Sequence, residues 1–304
     1  MRPILVVLGF LASIASFATA CSSASTPTTP ASTMPHLYAA EPDANQVAVL
    51  AQPLTGASLP GFAISGFNFN SGVAFDSAKN LYVTNTSTPS IAVFAPPYNA
   101  ASAPVFTIAG VTSGLSTPEQ IGFDAAGDLW VADETNGVIK YVPPFSASSA
   151  PALHVNTGLS SPQGVAFDSA ANLYVADNAG KLAMFAPPYA SAPTTTTTGL
   201  QFPLAIVSDG SHVYVADFGV KGIVAFNTPL VGGDTPVFTL SFGLLNGPHG
   251  LTLDANGNLL AGTNAGEIVI YSPPFTSTNF PVFNIPCFEA PSTNCLTRQL
   301  AFGP

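Results

Sequence analysis

The chain has 304 residues, of which 47% are hydrophobic and only 7% charged, with 29 prolines and 26 glycines. Sixteen acidic residues against six basic ones leave a net charge of −10, which argues against nucleic acid as a partner because phosphate binding needs clustered Lys and Arg. After the first twenty residues no run of helix formers recurs at helical spacing; short period-2 runs broken by Gly, Pro, Asn and Asp dominate, and the chain reads as all-β.

The amino terminus reads as a targeting segment. Arg2 supplies a minimal positive region, Ile4 to Phe17 an apolar stretch, and Ala18-Thr-Ala-Cys21 ends it with small residues, so residues 1–20 are expected to be a signal peptide. The apolar run is shorter than the roughly 20 residues that a spanning helix needs. The tetrapeptide resembles the lipobox of bacterial lipoproteins, with Ala18 where Leu is most typical, and the resemblance implies a lipidated Cys21. A plain secretory cleavage after Ala20, leaving Cys21 as a free thiol, is the second reading. Residues 21–35 continue as a Ser/Thr/Pro linker that would reach roughly 40 Å if extended, at about 3.1 Å per residue. With Cys21 lipidated, Cys287 and Cys295 remain as a pair across a short loop, and an exported compartment permits their disulfide. Two buried free thiols are the alternative.

From residue 36 a unit of forty-odd residues recurs, best seen in Gly164–Tyr189. A first run ends at Asp76, Asp124, Asp168, Asp209 and Asp254. A second run is centred on Tyr38, Tyr82, Trp130, Tyr174, Tyr214 and Leu260, and a third on Val47–Leu50, Ile91–Phe94, Val138–Tyr141, Leu182–Phe185, Ile223–Phe226 and Ile268–Tyr271. A proline step follows each time, as at Pro96-Pro97 or Pro187-Pro188, and stops the strand. A fourth run completes the unit; Val105–Ile108 is one example and the polar Thr194–Thr198 a degenerate one, although that stretch also suits a surface loop. Four strands every forty-odd residues is the period of a β-propeller blade. The second, third and fourth runs occur six times but the first only five times before its aspartate, and Arg298–Phe302 at the carboxyl terminus matches the missing copy. Six blades are expected over residues 36–304, the last strand closing the ring onto the first blade and removing its open edge.

The repeated P-x-G-V-A-F-D…N-L-Y-V-A-D…I-x-V-F pattern, clearest in Pro162–Phe185, resembles the NHL-repeat propellers and the SMP-30/gluconolactonase-like superfamily over residues 36–304. Such likeness identifies fold more than activity.

Blade geometry puts two rings of residues on one face. At the entry to strand 1 stand Ser71, Glu119, Gln163, Leu204, His249 and Arg298; at the exit of strand 2 stand Glu41, Asn85, Asp133, Asp177, Asp217 and Thr263. The first ring reads either as a water-bridged polar lining, with Glu119 and Arg298 neutralising each other, or as a ligand site. The second reads either as loop-capping side chains or, with Glu134, as an anionic mouth that attracts a cation. The turn aspartates lie on the opposite face and read as Asx turns. The gluconolactonase resemblance implies a divalent cation held by Glu, Asn and Asp on the first ring; only Glu119 matches as an acid, with Gln163 and His249 as the remaining candidate ligands. Hard cations prefer several carboxylate oxygens. The streptogramin-lyase propellers, another relative, use histidines with a glutamate, and here His249 stands alone on its ring. No G-x-S-x-G, H-E-x-x-H, P-loop or dinucleotide fingerprint appears. The leading expectation is an exported, membrane-tethered or secreted propeller that binds a protein or small molecule on the channel face without catalysis; the competing one is a metal-assisted hydrolase or lyase.

Overall fold

The computed structural model describes residues 35–304 apart from 190–191, 198, 242–246 and 287–295. Cys21, Cys287 and Cys295, the signal segment and residues 21–34 of the linker lie outside the described residues.

Within them the chain forms six four-stranded antiparallel sheets and no helix. The innermost strands are Leu300–Gly303 in blade 1, then Asn70–Phe75, Pro118–Phe123, Pro162–Phe167, Pro203–Ser208 and Pro248–Leu253 in blades 2 to 6. Blade 1 is a splice of the two ends of the chain: its inner strand pairs antiparallel with His36–Glu41, in the register His36 to Gly303 and Tyr38 to Ala301. The Tyr38 hydroxyl donates to the Pro304 carbonyl at 2.8 Å. The expected ring closure is therefore formed.

Six apolar clusters hold the ring together, each spanning one junction between neighbouring blades, including the junction of blade 6 with blade 1. This explains why the second strands are not alternating. Leu129, Trp130, Val131 and Ala132 are all fully buried, because a strand covered on both faces must be apolar at every position. The large residue after each proline step packs into the junction with the preceding blade. Tyr98 meets Tyr38 and Phe75 edge-on, Phe145 meets Tyr82 and Phe123, and Tyr189 meets Trp130, an arrangement that suits the aromatic quadrupole. The Thr run is an outer strand at Thr195–Thr197.

On the face opposite the two rings, the turn aspartates behave as the sequence suggests. Asp168 Oδ1 accepts from the amides of Ala170 and Asn172, both at 2.9 Å, while Oδ2 accepts from the Asn172 amide group and the Tyr174 hydroxyl, both at 2.8 Å. Burial alone would raise this carboxyl, but those bonds outweigh it and hold it below the usual range. Tyr82, Trp130, Tyr174 and Tyr214 are each engaged with the turn aspartate of their own blade as well as with the junction.

Candidate functional site

The opposite face is built by irregularity. In blades 2 to 6 the inner strand slips register against its partner at its first residues, between Pro162 and Gly164 for example, and between Pro118 and Ile121. A bulge re-aims the residue it contains. Here it turns Ser71, Glu119, Gln163, Leu204 and His249 to the axis, where Arg298 joins them from the segment just before the closing strand, and all six border one cavity of about 50 Å³. That is room for only a few water molecules, far below the roughly 300 Å³ at which small-molecule sites begin.

Its chemistry is an ion pair beside a neutral imidazole. Glu119 is 5% exposed and accepts from the Ser71 hydroxyl and from Arg298 Nη1, which also donates to Ser71 Oγ at 2.9 Å. Burial pushes the Glu119 carboxyl up and outweighs the lowering effect of Arg298. The Arg298 guanidinium lies 4.9 Å from the centre of the Phe69 ring, a cation–π contact. The His249 imidazole packs on Phe218 with ring centres 5.2 Å apart. Burial, with the charge of Arg298, pulls its pKa down from 6.5 to about 4, so the ring is neutral at neutral pH. Arg298 Nε and His249 Nε2 are both buried without a hydrogen-bond partner in the protein. Gln163 makes a long bond, 3.3 Å, to Ser161 Oγ, which bonds Glu134. Phe218, which packs on His249, is 37% exposed, and Phe202, whose carbonyl accepts from the Phe218 amide at 2.9 Å, is 52% exposed.

The second ring turns inward to its own loops. Asp133 accepts four backbone amides, from Ser116, Thr117, Thr135 and Asn136; Asp217 does the same with Gln201, Phe202, Gly219 and Val220. Asp177 takes Ser160, Ser161 and Ala179. Asn85 bonds the Asn68 amide and Ser90, Glu41 the Gln46 side chain, and Thr263 the amides of Ala265 and Glu267. All but Glu41, which bonds a side chain, cap loop amides, and none of the six borders the axial cavity. Among the described residues no three His, Cys, Asp or Glu side chains gather where a metal ion could be held. Of the three candidate ligands, Glu119 is engaged by Arg298 and Ser71. Nothing in the arrangement of Gln163 and His249 adds a second carboxylate for a hard cation.

One pair of residues escaped the sequence reading. A position deeper on the axis, Gln120 of blade 3 reaches across to blade 5, donating to the Ile206 carbonyl at 3.0 Å and accepting from the Ile206 amide at 3.2 Å. Gln299 of blade 1 accepts from the amides of Val73 and Ile121 at 2.9 and 3.1 Å and donates to the Ile121 carbonyl at 2.8 Å. An innermost strand has an unpaired edge toward the axis, and these two amides serve as the missing partner strand. The signal was present: the equivalent residues are Gly72, Gln120, Gly164, Ala205, Gly250 and Gln299, four small and two long amides. A Cβ on Gly164 would stand 2.3 Å from Gln120 Oε1, so the small residues clear the way for the crossing side chains.

No protein-family model matches the sequence, and no curated protein matches it. Solved structures do. A chain of a nidogen/laminin complex superposes with a TM-score of 0.66 at 18% identity, covering 89% of this chain and 98% of that one. A candidate 6-phosphogluconolactonase from Bacteroides fragilis gives 0.59 at 14% identity, covering 85% and 83%. A protein of unknown function from Bacteroides caccae gives 0.64 at 12% identity, covering 89% and 99%. At such identities the likeness is one of fold: this chain is a six-bladed β-propeller.

Proposed function

We propose that the protein is an exported, NHL-like propeller, tethered through a lipid on Cys21, that binds a partner at the mouth of its axis without catalysis. One observation carries the reading. Two buried polar nitrogens, Arg298 Nε and His249 Nε2, are left without partners, and the half-exposed Phe218 packs on the His249 ring with the exposed Phe202 hydrogen-bonded beside it through the backbone. Burying polar groups unpaired costs about 1–3 kcal/mol each, and an aromatic rim over polar anchors is the composition of a recognition surface. The partner it fits presents an apolar surface with one small polar tip, since the cavity admits no more than a few heavy atoms. Supporting the reading, one fold neighbour is part of a protein–protein complex.

The test is a photo-crosslinking residue placed at Phe202, with a second at Ala255, an exposed residue of the blade 6 turn on the far face, as the control, in cells that express the full chain. A discrete adduct from position 202 and none from position 255 is expected; identical patterns from both would remove the mouth as the site. Intact mass of the mature chain checks the tether, which an unmodified Cys21 eliminates.

The second reading is a lactone hydrolase, favoured by the two neighbours described as candidate 6-phosphogluconolactonases and by a neutral imidazole able to take a proton near Glu119. Turnover of a lactone panel that disappears in both Glu119→Ala and His249→Gln would establish it in place of the binding module.

A further inference from the structure

On the face opposite the mouth, a cleft of about 490 Å³ opens between blades 2 and 3. Its size falls in the range of small-ligand sites, and two sibling junctions show what sets it apart from them. At the junctions of blades 1 and 2 and of blades 3 and 4, a tyrosine after the proline step reaches the turn of its own blade: Tyr98 donates to the Lys79 carbonyl and Tyr189 to the Ala171 carbonyl. Blade 3 has Phe145 for the tyrosine and Gly127 for the turn residue. Phe145 lacks the hydroxyl, and a Cβ on Gly127 would meet nothing within 4 Å. At the entrance, Val142 stands where the other Pro-Pro steps are preceded by Ala95, Ala186 and Ser272, and it is 49% exposed. Blade 6 repeats two of these features as Phe275 and Gly257, so what is peculiar to blade 3 is their combination with Val142.

The lining combines aromatic rings with negative charge. Tyr82, Phe106, Phe123 and Phe145 form walls, Asp76 and Asp124 bring two carboxylates, and no basic residue lines the cleft. Lys140 lies 3.9 Å from Asp124 and 2.5 Å from Asp128, so it offsets only part of the local negative charge; rings with a negative face beside the remaining carboxylates favour a compact organic cation. A sugar would use the rings but not the charge. We infer that this cleft binds the alkylammonium group of a small amine. The site is independent of the mouth, so either can fail without the other.

The protein carries its own reporter. Its single tryptophan, Trp130, donates Nε1–H to Asp124 Oδ2 at 2.8 Å, so occupancy beside Asp124 alters its emission. Choline chloride is titrated into the purified folded chain, with equal potassium chloride and with glucose as separate arms. Choline should give a saturable change in Trp130 fluorescence, with no such change in the other two arms. Phe145→Tyr installs the residue that sibling junctions already accommodate, so it should fold with an unchanged or raised melting temperature and weaken choline binding about tenfold or more; Asp76→Asn should weaken it several-fold. A choline signal matched by potassium chloride or by glucose, an absent signal, or one that survives in folded Phe145→Tyr would overturn the inference.

Discussion

Two adjacent layers of the axis, one residue apart along the same six strands, follow opposite rules. The upper layer holds six different side chains, Ser71, Glu119, Gln163, Leu204, His249 and Arg298; the layer beneath holds three glycines, an alanine and two glutamines. The lower layer is determined by the backbone around it. Inner-strand edges at Val73, Ile121 and Ile206 need partners, two amides supply them, Gly164 and Gly72 leave room for those amides, and a Cβ on Gly250 would strike the Arg298 carbonyl. The upper layer satisfies no such demand, and two of its nitrogens remain unpaired. A residue type that repetition would have kept uniform is instead free to vary where the backbone does not constrain it, and the proposed binding function rests on that layer.

The contrast can be broken most sharply from below. Gln299→Leu should destabilise the chain by about 4 kcal/mol, because it strands two buried amides and one carbonyl at about 1–3 kcal/mol each; urea unfolding of purified protein measures it, and a loss below about 1 kcal/mol would mean that water replaces the amide. Next comes the histidine of the upper layer. Its folded pKa is about 4 against an ordinary 6.5, so as pH falls through that window the unfolded chain takes up a proton that the folded chain refuses. The sign is a loss of stability on acidification, amounting to about 3 kcal/mol by pH 4 and levelling below it. Glu119, pushed up by burial, works in the opposite sense, gaining stability on protonation. The measure is therefore the difference between the wild-type and His249→Gln urea midpoints at pH 7 and pH 4, which should shrink or change sign as pH falls. The smallest effect sharpens the contrast from above: Gln163→Ala gives up one long bond to Ser161 and should change stability by no more than about 0.5 kcal/mol, with an unchanged far-UV spectrum.

Blade number, strand order and the splice of Leu300–Gly303 onto His36–Glu41 were legible in the sequence. Each blade repeats the same burial problem, so a run such as Leu173–Asp177 is written nearly alike each time. The turn role of Asp168 was equally plain, since an Asx turn is a local affair of four residues. The axial ring was legible as a list of residues but not as a chemistry. Which of its members would pair depended on distances across the ring, and Glu119 meeting Arg298 joins residues 179 apart in the chain. The capping role of Asp133 and Asp217 was one of two readings, separated only when their loops could be seen folding back over the carboxylates. Gln120 and Gln299 were missed because the eye follows the residue that varies; their significance lies in the smallness of the four that accompany them.

The splice of the first blade has a mechanical side. His36 and Gly303 are paired at the same end of two antiparallel strands, and both lie on the face away from the mouth. A load applied between the two ends would not shear the pair but peel it, opening one rung at a time beginning with the bond of the Tyr38 hydroxyl to Pro304. The ring is thus weakest in tension at the seam that closes it, while the same load leaves the five blades built from continuous chain unstrained until the seam has gone.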